Sequence, residues 1–305
     1  VVIPCYNSMD TLKKIIDSTI QEIKKLKKYD YEIILVNDGS TDQTLANIKL
    51  LCEKYEKIKG INLSQNFGQA SAMLAGYSIS TGEVVVHSDD DGQTPMDELH
   101  KLLNKLEEGY DMVFAQFDHK KNSFIQNIGT EINNLMASYL IDKPKGLHMG
   151  NFWVCQSFVA KEAVKCKNPY PYLAGIFLQI TKNIGTVSTS HNKRLSGKTN
   201  YTFRKMISLW LNGFTAFSIK PLRIASILGL LTSIGGFSYL IFIIVNRLQN
   251  PEFYTGYTIL VASFYLIGGM IMLLLGLIGE YIGRIYMNIN NKPQFVIKES
   301  YNSDK

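Results

Sequence analysis

Three consecutive carboxylates at residues 89–91, in the segment Ser-Asp-Asp-Asp-Gly-Gln, are the groups in this chain best suited to chemistry. They would repel one another without a cation. Asp89 and Asp91 are two positions apart, so on an extended segment they point the same way. Their hard oxygens suit Mg²⁺ or Mn²⁺, which needs few protein carboxylates when a substrate's phosphates complete its shell. We therefore predict a metal site at Asp91, with Asp89 and Gln93 beside it; the alternative is a solvated acidic turn.

The acidic segment follows a short β-branched run, residues 83–87, which predicts a buried strand. Residues 1–7, 31–36 and 58–63 have the same character, and each run ends in a polar turn. Helical patterns separate these runs, and the first has apolar residues on one face: Leu12, Ile15, Ile16, Ile23 and Leu26. Strand–helix alternation predicts an α/β fold with a mostly parallel sheet flanked by helices. Ligands bind such sheets beyond the carboxyl ends of the strands, where all four polar turns fall.

The last third of the chain is apolar. Residues 224–245 and 257–279 contain no charged residue, and each is long enough as a helix to cross a bilayer core of about 30 Å. The short polar link between them, residues 246–256, favours two transmembrane helices over two buried core helices. Residues 201–222 carry an apolar stripe at helical spacing after a basic start, which predicts an interfacial helix beside the membrane.

Composition limits the classes of function that remain. The 305 residues allow one sizeable soluble domain and further elements, and the net charge of +6 is modest. Part of this charge precedes the first apolar run, at Lys198, Arg204, Lys205, Lys220 and Arg223. Such residues favour membrane lipids as partners over nucleic acid, and they predict that the part of the chain before the first apolar run lies on the cytoplasmic side. The four cysteines lack metal-type spacing, which indicates free thiols, and the absence of an initial Met indicates a longer natural N-terminus.

Five motifs occur in order along the chain. They are Val-Ile-Pro-Cys-Tyr-Asn from Val2, Asn-Asp-Gly-Ser-Thr-Asp from Asn37, Leu-Ser-Gln-Asn-Phe-Gly-Gln from Leu63, Asp-Asp-Asp-Gly-Gln from Asp89, and Leu-Ile-Gly-Glu-Tyr-Ile-Gly-Arg-Ile-Tyr from Leu277. Together they resemble the family 2 glycosyltransferases with a GT-A fold. More narrowly, the chain resembles the polyisoprenyl-phosphate glycosyltransferases, the group of dolichol-phosphate-mannose synthases and bactoprenol glucosyltransferases.

The resemblance implies a nucleotide-sugar donor and a divalent cation, and it implies the same three metal-site residues. The residues implied for donor binding are Pro4, Tyr6, Asn7, Asp38, Asn66, Gln69 and Asp89. Among them, Asp38 would accept a hydrogen bond from the base or the ribose. Both Asn66 and the turn after Asn37 have an alternative explanation, because Asn and Gly are also the ordinary residues of turns and helix starts.

The acceptor of this group of enzymes is a polyprenyl phosphate, which is already an anion and needs cations to approach an anionic donor. Two basic segments, residues 119–121 and 191–199, could supply them, and the second resembles the family's Arg-x-x-Gly-x-Ser loop. The predicted phosphate-binding residues are Lys120, Lys121, Arg194, Lys198 and Thr199. We predict that Arg194, together with Asp89 and Asp91, is catalytic. The alternative for residues 191–199 is an ordinary linker.

Several positions depart from the pattern of the relatives. Asn37 and Thr94 stand where many relatives have Asp, and Asn151 and Trp153 stand where common relatives have Asp and Arg. Because an Asn side chain cannot accept a proton as a base, we assign no base role to Asn151. The identities of the sugar and of the nucleotide stay open.

We therefore expect an inverting, metal-dependent enzyme that moves one sugar from a nucleotide to undecaprenyl phosphate at the cytoplasmic membrane face. The expected organisation is a GT-A domain at residues 1–200, the interfacial helix, two spans within residues 223–283 and a cytoplasmic tail at 284–305. A separate flippase would move the product, and the chain could form a homo-oligomer. The alternatives are a family 2 transferase or synthase with another lipid or glycan acceptor, and an inactive membrane scaffold.

Overall fold

The structure is a computed structural model. It describes residues 1–117, 143–144, 147, 149–167, 171–190, 220–249, 257–289 and 293–302. The chain divides into two compact units. Unit 1 consists of Val1–Gly213 and Asn291–Lys305, and unit 2 consists of Phe214–Asn290.

Unit 1 is built on one sheet, for which the described residues provide eight strands. The strands are β1 Val2–Cys5, β2 Ile33–Asn37, β3 Ile58–Leu63, β4 Val84–His87, β5 Met112–Phe117, β6 Trp153–Gln156, β7 Ile184–Thr189 and β8 Ile297–Tyr301. Their order in the sheet is β7-β5-β6-β4-β1-β2-β3-β8. The strands β6 and β8 run antiparallel to their neighbours, and the other strand pairs are parallel. The mostly parallel sheet predicted from the sequence is confirmed.

Helices cover this sheet. In unit 1 they are α1 Leu12–Lys25, α2 Thr44–Lys54, α3 Gln69–Ile79, α4 Leu99–Glu107, α5 Ser157–Lys165 and α6 Leu173–Ile180, with a 3₁₀ turn at Met96–Glu98. The predicted face of α1 is buried, except that Leu26 is half-buried just beyond the helix end. All five residues of β2 are buried, as expected for a central strand with helices on both faces.

The C-terminal segment returns to the sheet. Strand β8 pairs antiparallel with β3, and the backbone N–H of Ser64 donates to the carbonyl of Val296 at 2.9 Å. The side-chain amide of Asn302 donates to the carbonyls of Cys52, at 2.5 Å, and Ile58, at 3.0 Å. The sequence analysis treated this region only as a tail. In the structure it covers the edge of the sheet that β3 would otherwise expose.

Unit 2 contains the two apolar segments, and both are helical: α7 spans Lys220–Gln249 and α8 spans Tyr257–Ile289. Many of their large apolar side chains are exposed, among them Leu248 at 79% and Phe264 at 76%. Among the residues that the structure describes, no helix is long and apolar enough to cross a membrane. The two predicted spans are therefore not confirmed. Most of the predicted interfacial helix, residues 201–219, lies outside the described residues.

Candidate active site

The four predicted polar turns meet at one edge of the sheet in unit 1. Because β1, β2, β3 and β4 are parallel, their carboxyl ends share this edge. The turns after these strands contain all the predicted donor and metal residues except Pro4, which is buried within β1, and Gln69, which begins α3. Hydrogen bonds connect the turns in a closed ring.

The turn after β1 is joined to the acidic segment after β4 by Asp90. The Oδ2 atom of Asp90 accepts hydrogen bonds from the backbone N–H of Tyr6, at 3.0 Å, and from the hydroxyl of Ser8. The Thr11 hydroxyl also donates to the Asp90 carbonyl, at 2.8 Å. Burial raises the pKa of Asp90, the hydrogen bonds from Ser8 and Tyr6 lower it, and the charges of Asp89 and Asp91 raise it further. The side chain of Asp90 is thus engaged with the β1 turn.

The β1 turn is joined to the β2 turn by Asn7. Its side-chain oxygen accepts a hydrogen bond from the backbone N–H of Thr41 at 2.9 Å, and its own N–H donates to the Ser40 hydroxyl at 3.1 Å. Asn7 has a φ of 54°, in the left-handed region that Asn tolerates better than most residues. The predicted nucleoside residue Asn7 therefore shapes the turn that presents Tyr6, whose side chain is 45% exposed.

The β2 turn is joined to the β3 turn by Asp38, which is only 3% exposed. Its Oδ1 and Oδ2 atoms accept hydrogen bonds from the backbone N–H groups of Phe67, at 2.7 Å, and Gly68, at 2.9 Å. Burial raises the pKa of Asp38, and these two donors lower it. Both oxygens of this predicted ligand of the base or ribose therefore already hold the neighbouring turn.

Close packing of the same two turns requires Gly39. Its φ is +66°, and a Cβ added there would lie 2.5 Å from the backbone nitrogen of Asn66. The Asn66 side chain donates to the carbonyl of Asp38 at 3.1 Å. Asn66 is exposed in the structure, so its side chain both fastens the turn and faces the open edge of the sheet.

The β3 turn is joined back to the acidic segment by Gln69, which closes the ring. Its side-chain amide donates to Oδ1 of Asp89 at 2.7 Å. The backbone N–H of Asp89 donates to the Thr94 hydroxyl at 3.1 Å, which braces the acidic segment from its far end. The four turns are thereby cross-linked through side chains that the sequence places at strand ends.

The predicted metal residues offer two carboxylates and one amide. The backbone N–H of Gln93 donates to Oδ1 of Asp91 at 3.0 Å, which fixes the bend after the carboxylates. In the described part of the chain, no group of three His, Cys, Asp or Glu side chains could hold a metal ion. Two carboxylates still fit Mg²⁺ or Mn²⁺, because these ions take further oxygens from the phosphates of a substrate and from water.

The predicted acceptor residues lie outside the described residues. They are Lys120, Lys121, Arg194, Lys198 and Thr199. Three further residues that contact the acidic segment, Ser8, Thr11 and His87, were not predicted as site residues. The only sequence signal for His87 was its position as a polar residue that ends an otherwise apolar strand directly before the carboxylates.

Comparison with known proteins identifies the class. Residues 1–166 match the family model described as "Glycosyl transferase family 2", and residues 220–285 match the model described as "GtrB C-terminal hairpin". Over 305 residues the chain is 31% identical to "Uncharacterized glycosyltransferase YkcC" of Bacillus subtilis (strain 168), a match that covers 99% of this chain and 93% of that protein.

Solved structures agree on the fold. Glucosyl-3-phosphoglycerate synthase from Mycobacterium tuberculosis, crystallised with Mn²⁺, UDP and phosphoglyceric acid, aligns with a TM-score of 0.52 and 16% identity. That alignment covers 70% of this chain and 75% of the synthase. The complex of the same enzyme with UDP gives a TM-score of 0.51 and 17% identity, over 71% of this chain and 77% of that one.

The chain belongs to glycosyl transferase family 2. It is a glycosyltransferase with a GT-A-type α/β fold, and a GtrB-type hairpin follows its catalytic domain. The family resemblance predicted from the five sequence motifs is confirmed.

Proposed function

We propose that this glycosyltransferase transfers one sugar from a nucleotide sugar to a polyprenyl phosphate, such as undecaprenyl phosphate, with inversion at the anomeric carbon. The observation that carries the proposal is the ring of four cross-linked turns, in which the backbone of the exposed Tyr6 is bonded to Asp90, between Asp89 and Asp91. The match of residues 220–285 to a GtrB hairpin supports the lipid acceptor.

The donor would bind along the ring of turns. The exposed Tyr6 ring is suited to stack on a nucleobase, and the side chains of Asn66 and Gln69 are exposed at the same edge for polar contacts. A nucleoside diphosphate fits this edge of the sheet chemically, because the edge offers an aromatic surface and two carboxylates that can share a cation with phosphates. The synthase with the same fold was crystallised with UDP and Mn²⁺, which supports this class of donor.

Asp89, Asp91 and Gln93 would hold a divalent cation together with the donor diphosphate. When bound, Mg²⁺ or Mn²⁺ neutralises the charge that builds on the departing nucleoside diphosphate. The role of the protein is to orient the carboxylates of Asp89 and Asp91. Gln69 fixes Oδ1 of Asp89, and the N–H of Gln93 fixes Oδ1 of Asp91.

The chemical step needs little base catalysis. A phosphate oxygen of the acceptor attacks the anomeric carbon and forms the new C–O bond. The bond to the diphosphate breaks on the opposite side and leaves its electron pair on the nucleotide, so the configuration inverts. Basic residues must then offset repulsion between two anionic substrates. The predicted cluster around Arg194 is our candidate for this role.

We place the reaction at the cytoplasmic membrane face, where nucleotide sugars occur. The exposed apolar side chains of α7 and α8 support contact of unit 2 with lipid. The chain leaves unit 1 through α7 and returns to it in β8, so a hairpin that entered the membrane would begin and end on one side. The product would then require a separate flippase, and assembly into a homo-oligomer is compatible with this arrangement.

The test is a screen of UDP-, GDP- and dTDP-sugars against membranes that contain undecaprenyl phosphate, read by the mass of the lipid product. One donor should add a single hexose mass to the lipid, and the Asp91→Asn variant should not. Transfer to a glycan or to a phosphate-free lipid would overturn the proposed acceptor. No transfer or donor hydrolysis with any nucleotide sugar would favour the inactive scaffold.

A further inference from the structure

His87 is a buried titratable residue to which the proposed reaction gives no role. It ends β4, two residues before Asp89, and it is 0% exposed. Within the described part of the chain, neither ring nitrogen makes a hydrogen bond of good geometry. A phenylalanine would fill this space without burying two polar atoms, so the imidazole is unexplained by packing alone.

The ring of His87 is held in a fixed orientation. It stacks on Trp153, its neighbour across the antiparallel β4–β6 pair, with ring centroids 4.1 Å apart and planes inclined by 30°. Trp153 is in turn fixed by Phe177, whose ring centroid lies 5.7 Å away, and by a hydrogen bond from its Nε1 to the Tyr77 hydroxyl at 3.2 Å. A ring held this way can aim one nitrogen with little loss of conformational freedom.

That nitrogen faces the candidate metal site. Nε2 of His87 lies 3.2 Å from Oδ1 of Asp89, within contact distance although the angle is poor in this structure. The same oxygen accepts the side-chain amide of Gln69 at 2.7 Å. The Gln69 amide and Nε2 of His87 therefore both lie close to Oδ1 of Asp89.

We infer that His87 is a positioning residue: its Nε2–H holds Oδ1 of Asp89, so that Oδ2 faces the cation and the donor diphosphate. The inference rests on the proposed function, because it gives Asp89 the role of a metal ligand. Outer residues that orient a ligating side chain commonly change metal affinity when they are replaced.

The test compares three replacements of His87 in the full-length protein. Phe keeps an aromatic ring and removes the donor. Gln places an amide nitrogen near the position of Nε2, whereas Asn places one near the position of Nδ1. Mn²⁺ binding is measured by electron paramagnetic resonance with UDP or GDP as the added nucleotide. Thermal unfolding in EDTA reports on folding, and His100→Phe, at an exposed histidine on α4, is the matched control.

We expect His87→Phe and His87→Asn to weaken Mn²⁺ binding about 10- to 100-fold. His87→Gln should restore most of the affinity, and His100→Phe should not change it. If His87→Phe does not fold, the comparison of Gln with Asn decides alone. Equal affinity in wild type and the Asn variant, or equal loss in the Asn and Gln variants, would overturn the role of Nε2.

Failure of the proposed function gives a different result. If the wild-type protein transfers sugar but binds no Mn²⁺ with the nucleotide of the donor that it uses, the metal assignment of Asp89 is wrong and the inference about His87 is wrong with it. If wild type binds Mn²⁺ with nucleotide and all three variants bind it equally well, the metal site stands and only the role of His87 is overturned.

Discussion

Replacing Asp38 by Asn should destabilise the protein much more than replacing Asp90 by Asn, although both changes remove one carboxylate charge from the ring of turns. At Asp38 the two backbone donors go to different oxygens, one to Oδ1 and one to Oδ2. At Asp90 both donors, the N–H of Tyr6 and the hydroxyl of Ser8, go to Oδ2. An Asn side chain has only one oxygen. It can therefore accept both hydrogen bonds at position 90, where they go to one oxygen, but not both at position 38, where they go to two.

The geometry sets the size of each effect. Asn at position 38 would turn its NH₂ group toward a backbone N–H of the β3 turn, leaving both groups buried without an acceptor. Such a loss costs about 1–3 kcal/mol. Asn at position 90 keeps an oxygen for both donors and removes a charge that burial disfavours, so we expect a change in stability below about 1 kcal/mol at neutral pH.

The sign of the pH dependence follows from the raised pKa of Asp90. The native state binds the Asp90 proton more tightly than the unfolded state does. Protonated Asp90 therefore adds to the free energy of unfolding, and this contribution is lost as the pH rises through the native pKa. Asn resembles the protonated form and does not titrate. The free energy of unfolding of the wild type, relative to that of Asp90→Asn, should therefore be highest at acid pH and should fall toward neutral pH.

Urea unfolding followed by tryptophan fluorescence measures these differences. Trp153 is buried in unit 1 and reports on it, whereas Trp210 lies outside the described residues and is replaced by Phe in every protein compared. EDTA is present so that no cation contributes. With a slope of about 2 kcal/mol per molar, a loss of about 2 kcal/mol shifts the midpoint by about 1 M.

At neutral pH we expect a midpoint shift near that size for Asp38→Asn and a small shift for Asp90→Asn. The matched control is Asp90→Ala, which offers no acceptor to Tyr6 or Ser8. Its urea midpoint should lie well below that of Asp90→Asn. Equal destabilisation by Asp38→Asn and Asp90→Asn would refute the argument, because charge alone, and not the pattern of acceptors, would then decide stability.

Three further predictions concern activity and location. Asp91→Asn should nearly abolish transfer, and EDTA should stop the wild-type reaction until Mg²⁺ or Mn²⁺ is restored; full activity in EDTA would exclude the metal. Arg194→Ala should raise the KM for lipid phosphate more than the Kd for free nucleotide, with Arg194→Lys only partly active because Lys lacks the planar fork. An unchanged acceptor KM would move Arg194 to the donor side. In a background without native cysteines, a membrane-impermeant maleimide applied to intact cells should label Leu248→Cys and spare Ser300→Cys; the reverse would overturn the orientation.

The elements predicted well are those with a local signal. The strands β1 to β4 and the buried face of α1 followed from short apolar runs and from 3.6-residue spacing, which depend on neighbours in sequence. Their parallel arrangement then placed the four polar turns at one edge, as the structure has them. The candidate metal and donor residues were found because they stand directly after these strands.

The elements that were missed depend on partners far away in the chain. The strand β8, Ile297–Tyr301, alternates half-buried with exposed residues but is largely polar, so it becomes a strand only by pairing with β3. The antiparallel strand β6 likewise lies between β4 and β5, more than thirty residues from either along the chain. His87 was missed for the same reason, because its ring is placed by Trp153 across that pairing.

The three consecutive carboxylates illustrate what sequence could and could not settle. The sequence predicted a metal site at Asp91, with Asp89 and Gln93 beside it, and gave Asp90 no part in that site. In the structure the middle one, Asp90, turns into the β1 turn, where two donors hold it and burial raises its pKa. Only Asp89 and Asp91 then remain for a cation, and few protein carboxylates are what Mg²⁺ or Mn²⁺ takes when it shares a diphosphate. The central carboxylate therefore holds the turn beside which its two neighbours would bind the proposed cation.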